Sequence, residues 1–163
     1  MNLNVEPRQR VPDLEGEHMK NYYVSIIRRG EMSYIRSELE QFGLIPMEGR
    51  LIRLLKDHCF SQEELGESLD IDKGRIAKTV YMLEQKGIVS RNTNSNNRRQ
   101  KLVSLTEEGE RIYDAILDIY EAWDDICYRG FTEEERNMNH EFIKRISHNV
   151  VEYKKKIGGR KNG

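Results

Sequence analysis

Between Ile71 and Ser104 eight basic residues, Lys73, Arg75, Lys78, Lys86, Arg91, Arg98, Arg99 and Lys101, meet only two acids, Asp72 and Glu84, for a local charge of +6. Ammonium and guanidinium groups concentrated in this way are suited to recognising anions, phosphates and the acceptor edges of bases above all. Their spacing sorts them. Ile76, Val80 and Leu83 recur at i, i+4 and i+7 and mark the buried stripe of a helix, so Lys73, Arg75, Ala77, Lys78 and Tyr81 fall on its other side. Arg91 precedes, and Arg98, Arg99 and Lys101 follow, an asparagine-rich run over 92–97. The whole chain carries a formal charge of only −1, so the positive stretch is a local feature and not that of a polycation. Over 107–141 twelve acids meet Arg111, Arg129 and Arg136, for −9, which reads first as a solvated face.

The elements that must carry these charges follow from local rules. Ser61 is placed to cap a helix whose third residue, Glu64, reaches back in a capping box, with Leu65 and Leu69 on the buried side. Leu69-Asp70-Ile71-Asp72 breaks that helix, and Asp72 caps the next. Gly87, after Lys86, suits a left-handed helix terminus. Two helices joined by a turn, the second basic near its start, form a helix-turn-helix. Ile88 to Arg91 then reads as one strand and Lys101 to Leu105 as its partner, with Val103 and Leu105 on a shared face. The polar tip between them has nothing to bury and is expected to be flexible, with arginines at its far end where they would reach a minor groove or backbone.

The run SQEELGESLDIDKGRIAKTVYMLEQKGIVSR, followed by RRQKLVSLTEEG, resembles the multiple-antibiotic-resistance regulator (MarR) family of bacterial transcription factors over roughly Leu44 to Gly109. Leu83-Glu84-Gln85-Lys86-Gly87 matches the family's close of the recognition helix, and Arg99 stands six residues before Leu105. The family usually has Asp two residues before the wing arginine; here Asn97 stands there, a neutral acceptor in place of a carboxylate. The resemblance implies a mainly α fold: a winged helix-turn-helix with a small two-stranded wing, and long N- and C-terminal helices that interlock two subunits. It also implies double-stranded DNA as partner, at a near-palindromic operator, and release by phenolic or other lipophilic molecules. Ser61 and Gln62, with Lys73, are expected on phosphates. Arg75 and Lys78 are expected at base edges with Ala77 beside them, Arg91 at the strand, and Arg98, Arg99 and Lys101 at the wing.

Around that region, residues 1–14 read as a flexible arm. Residues 15–43 read as an N-terminal dimerisation helix, 44–106 as the DNA-binding region, 107–157 as C-terminal dimerisation helices and 158–163 as a tail. Met19, Tyr22, Tyr23, Ile26, Ile27, Tyr34, Ile35, Leu39 and Phe42 give the first helix its apolar positions, with Gly30 inside it. Pro46 fits the first turn of a second helix striped by Met47, Leu51, Leu54 and Leu55. Thr106 opens a helix striped by Ile112, Ile116, Ile119, Trp123 and Ile126. After Gly130, Thr132 and Glu135 form a further capping box before the stripe Met138, Phe142, Ile146, Val150 and Tyr153. These stripes exceed what a small winged unit covers, and a second copy is the economical partner.

Other chemistries find little. No glycine-rich phosphate loop, nucleophile elbow or HExxH occurs, so the sequence gives no basis for an enzyme. His140 and His148 lie eight residues apart, about 12 Å along a helix, too far to share a metal, and no cofactor is expected. Cys59 and Cys127 have no CxxC spacing, which fits a reducing cytoplasm. The start of the chain has no secretion-signal pattern, and no apolar run is long enough to span a membrane. The expected function is a homodimeric repressor released by a small aromatic or lipophilic effector, with Tyr22, Tyr23, Tyr34, Tyr113, Tyr120 and Trp123 as candidate lining. The alternatives are a winged-helix protein-interaction module and a redox response through Cys59 or Cys127.

Overall fold

The computed structural model describes residues 20–94, 97–98 and 100–158. In chain order the described elements are α1 (Lys20–Glu40), α2 (Pro46–Leu54), β1 (Phe60–Ser61), α3 (Gln62–Leu69), α4 (Lys73–Gln85), β2 (Val89–Thr93), β3 (Lys101–Leu105), α5 (Glu107–Cys127) and α6 (Glu133–Gly158). The expected arm over 1–14, the first turn of the N-terminal helix over 15–19 and the tail beyond Gly158 lie outside the described residues. The chain falls into two compact units, one ending at Tyr120 and the other beginning at Glu121.

The first unit is built on one apolar core. Ile35 and Leu39 of α1, Leu51 and Ile52 of α2, Leu65 of α3, and Ile76, Val80 and Leu83 of α4 meet Leu55, Val89, Val103 and Ile116, nearly all without exposed surface. Burying each such side chain stabilises the fold by about 1.5–3 kcal/mol relative to leaving it in water. The α4 stripe read from the sequence is therefore the inner face of that helix. Ile112, Tyr113, Leu54 and Phe42 are half-buried against the same core.

The helix boundaries follow from their caps. Ser61 accepts from the Glu64 amide and Glu64 returns to the Ser61 N–H at 2.7 Å, closing the capping box of α3. Asp70 takes a left-handed conformation at φ 56°, which ends α3 and turns the chain toward Asp72. Asp72 then accepts from the Arg75 amide at 2.9 Å and starts α4.

The sheet differs from expectation by one strand. β3 lies between β2 and a short β1, order β1-β3-β2, all antiparallel. Phe60 pairs with Val103 and Ser61 with Leu102, so the wing hairpin is anchored to the entrance of α3. A two-residue strand carries no alternation to reveal it in sequence. The hairpin register sets Val89 opposite Leu105 and Thr93 opposite Lys101.

At the base of the wing, Gly87 at φ 71° reverses the chain after α4. Thr106 donates its hydroxyl to the Gly87 carbonyl at 2.6 Å and its amide to the Ile88 carbonyl at 3.0 Å, while accepting from the Gly109 amide. This joins the exit of α4 to the start of α5. A Cβ on Gly109 would stand 2.1 Å from the Ile88 carbonyl oxygen, so the two backbones approach closely only because this residue is glycine.

In the second unit, Gly130 at φ 86° separates α5 from α6, and Thr132 with Glu135 forms the expected capping box. The Tyr128 hydroxyl accepts from Asn139 at 2.6 Å, and Arg136 donates to the Tyr128 carbonyl at 3.2 Å. The α6 stripe is not covered: Phe142, Ile146, Val150 and Tyr153 are 49%, 60%, 50% and 63% exposed. Ile126, expected on a buried face of α5, is 47% exposed as well.

Gly109→Ala is expected to destabilise the first unit by about 3 kcal/mol through overpacking against backbone, measured by urea unfolding. A change within experimental error would mean that the junction is looser than described.

Candidate nucleic-acid interface

The outward side of α4 carries the positive groups. Lys73, Arg75 and Lys78 are exposed, Ala77 is half-buried beside them, and Ile76, Thr79, Val80 and Leu83 point into the core. Thr79 is kept satisfied by donating to the Arg75 carbonyl at 2.9 Å. The outward face continues further than the basic residues suggest, through Tyr81, 51% exposed, and Met82, 41% exposed, to Gln85.

Ser61 is placed differently from expectation. Its residue is 4% exposed, and its hydroxyl donates to Glu64 Oε2 at 2.8 Å while accepting from the Glu64 amide. That hydroxyl holds the end of α3 in place of standing free for a phosphate. The bonds from Ser61 hold the Glu64 carboxyl below its usual range, the backbone N–H contributing most. Gln62 is half-buried, and it lines with Lys73 a depression between α3 and α4 whose rim includes Glu63, Glu67, Asp70 and Asp72.

Arg91 faces inward along the sheet. Its Nε donates to Glu84 Oε1 at 3.1 Å and its Nη2 to Glu84 Oε2, a forked ion pair joining β2 to the last turn of α4. The Arg91 guanidinium depresses the Glu84 carboxyl, and Glu84 in turn raises Arg91. Lys86, another member of the basic run, is also engaged. Its ammonium donates to both carboxylate oxygens of Glu48 at 2.7 and 2.8 Å and to the Gly43 carbonyl at 2.8 Å. The positive run thus divides into groups turned outward and groups that fix the scaffold.

At the wing, Arg98 and Lys101 are exposed. Arg99, expected to be the principal wing arginine, lies outside the described residues. The described part of the tip is held by hydrogen bonds. Asn94 bonds Gln100 through both backbone (2.9 Å) and side chain (2.7 Å), Asn97 donates to the Asn94 carbonyl, and Gln100 donates to the Asn97 carbonyl. Asn97, in the position of the family's usual Asp, therefore sits inside a backbone turn.

Sequence reasoning missed a second positive edge. Arg36 of α1 and Arg50 of α2 line a depression with Met32, Met47 and Arg75. Their periodicity places them on outer faces, but only the packing of α1, α2 and α4 brings those faces together. The aromatic candidates for an effector cavity are variously engaged. Lys56 stands over Tyr113 at 4.8 Å, Arg53 over Tyr120 at 3.9 Å, and Tyr22 packs edge-on against Tyr23, while Trp123 belongs to the second unit. Cys59 is exposed and Cys127 half-buried. Among the described residues no cluster of three metal-binding side chains occurs, and no helix is long and apolar enough to cross a membrane.

A helix-turn-helix whose second helix presents cations, followed by a hairpin that closes on a strand before the first helix, defines a winged helix-turn-helix protein. Residues 48–101 match the profile of the MarR family. The chain is 28% identical over 118 residues to the HTH-type transcriptional regulator BilQ of Clostridium symbiosum (strain WAL-14163), covering 72% of this chain and 82% of that protein. The crystal structure of a MarR protein superposes with a TM-score of 0.75 at 29% identity, over 90% of this chain and 98% of the other. A MarR family regulator from Listeria monocytogenes, solved in complex with a 26-mer DNA, gives 0.73 at 27% identity, over 81% and 89%.

The depressed carboxyls of Glu64, Glu84 and Glu135 set an acid limit on stability. A carboxyl held below its usual value of 4.5 contributes stability that is complete above that pH and is lost as pH falls through the folded-state value. Urea unfolding followed against pH should therefore show Arg91→Ala differing most from the parent chain above about pH 4.5, with the gap narrowing in more acid solution. A gap independent of pH would assign no role to the Glu84 charge.

Proposed function

We propose that the chain is a DNA-binding transcriptional regulator that acts as a homodimer, with α4 in the major groove and the wing on the flanking minor groove or backbone. The observation that carries this reading is the outward face of α4, where Lys73, Arg75 and Lys78 stand exposed while the neighbouring cations Lys86 and Arg91 are neutralised by Glu48 and Glu84. Arg75 and Lys78 read base edges. Lys73 and Gln62 contact phosphates, and Arg98, Arg99 and Lys101 serve the wing. The DNA complex of the Listeria relative and the name of BilQ support the same assignment.

The exposed stripes on α6 support a second copy as their partner, since contiguous apolar patches of this kind are uncommon on free surfaces. Two recognition helices related by a twofold axis then address half-sites about one helical turn apart in a near-palindrome. Simple occupancy of a promoter site makes the regulator a repressor, and release by a small aromatic or lipophilic effector is the switch this reading carries. A switch requires only that the effector bind one arrangement of the dimer better than the other.

Selection from a random-sequence duplex pool supplies the operator, and titration against it across salt tests the docking. Arg75→Ala should lose about 1–3 kcal/mol of discrimination at one base position in each half-site. Arg98→Ala should weaken all sequences alike and flatten the salt dependence by about one unit of slope per subunit. Binding at the selected site that neither substitution alters would overturn the docking. Tight capture of a protein partner without salt-sensitive affinity for duplex DNA would favour an interaction module instead. The dimer is tested by sedimentation: Ile146→Asp should shift the chain to a monomer and cost operator affinity, whereas an unchanged mass would remove α6 from the interface.

A further inference from the structure

Three of the six methionines in the chain gather beside Arg75. Met32 and Met47 line one depression with Arg50 and Arg75, and Met47 and Met82 line the adjoining one with Arg75 and Lys78. None of the three is buried, and Met82 is 41% exposed, so a dissolved oxidant reaches this surface. The Met32 sulfur already accepts from Arg50 Nη2 at 3.6 Å. A thioether is a weak acceptor, whereas a sulfoxide oxygen is a strong one, and guanidinium is the donor that rewards it most.

We infer that Met32, Met47 and Met82 form an oxidation-sensitive site which, once converted to sulfoxides, holds the Arg75 guanidinium against the protein and lowers affinity for DNA. The inference rests on the DNA-binding reading above for its consequence, though not for its chemistry. The oxidant is of the hypochlorous acid class. Its oxygen is transferred to a sulfur lone pair, the sulfur gives up two electrons, chlorine leaves as chloride, and the hydroxyl proton passes to water. The new S=O groups lie along the depressions that Arg50, Arg75 and Lys78 border. Each side chain they engage must give up that bond before it can meet a base or phosphate. Methionine sulfoxide reductases reverse the change, whereas a dithiol reagent does not, which separates this site from Cys59 and Cys127.

The test uses the full-length chain, dilute hypochlorous acid and the duplex enriched from the random pool. Oxidised protein should bind that duplex roughly tenfold more weakly, with recovery on treatment with sulfoxide reductases but not with dithiothreitol. A variant carrying Met32→Leu, Met47→Leu and Met82→Leu should keep, after oxidant, whatever affinity it has before treatment, whereas Met138→Leu, on α6, should remain sensitive. Should the triple variant fold poorly, Met82→Leu alone should reduce the response. Labelling of arginines with phenylglyoxal gives a readout independent of DNA: Arg75 should become less reactive on oxidation of the parent chain only. Unchanged Arg75 labelling in fully oxidised protein, or equal sensitivity of the triple variant, would overturn the inference. Protection of Arg75 in a chain that binds no duplex would leave the site standing and remove the DNA reading instead.

Discussion

The Glu48 side chain is 4% exposed, and Lys86 stands against its negative charge. Removing one member of such a pair would leave a buried charge uncompensated, at a cost of several kcal/mol. The carboxylate also accepts from the Ile45 amide at 2.9 Å and so closes the start of α2, while Lys86 binds the Gly43 carbonyl as well. One ion pair thus ties the turn after α1, the beginning of α2 and the end of α4. Because the exit of α4 is in turn bonded to Thr106 and pressed against Gly109, α4 is fixed at that end from two sides. Its outward face is consequently presented by a rigid support.

Charge in the basic stretch therefore does two kinds of work. Lys86 and Arg91 meet carboxylates and set the position of α4 and β2, whereas Lys73, Arg75, Lys78, Arg98 and Lys101 remain at the surface. The local count of +6 treats these groups alike, although the positive field available to a partner comes from the second set. The carboxylates of Glu63, Glu67, Asp70 and Asp72 along the depression between α3 and α4 oppose that field at the start of α4, beside Lys73.

Methionine beside arginine on the same surface introduces a different property. Thioethers are soft and adaptable, so Met32, Met47 and Met82 can accommodate movement of the neighbouring guanidinium without strain. The same flexibility exposes their sulfurs to chemistry that rigid aliphatic side chains do not undergo.

Local structure was legible in the sequence wherever it rests on neighbours three or four residues apart. The Ser61–Glu64 and Thr132–Glu135 capping boxes, the Asp72 cap, the left-handed Gly87 and the stripe Ile76, Val80, Leu83 all follow from spacing alone, because helix geometry is the same in every protein. Spacing also put Arg75 and Lys78 on the outer face of α4. What only the tertiary structure decided is which partner each charge finds across the fold. Lys86 meets a carboxylate 38 positions earlier, Ser61 joins a strand through pairing with Leu102, and Arg36 and Arg50 come alongside Arg75. No periodicity encodes such contacts, since they depend on how three separate helices and a sheet settle on one core. Whether a cation faces solvent or a buried acid is settled by that packing, and with it the shape of the positive surface.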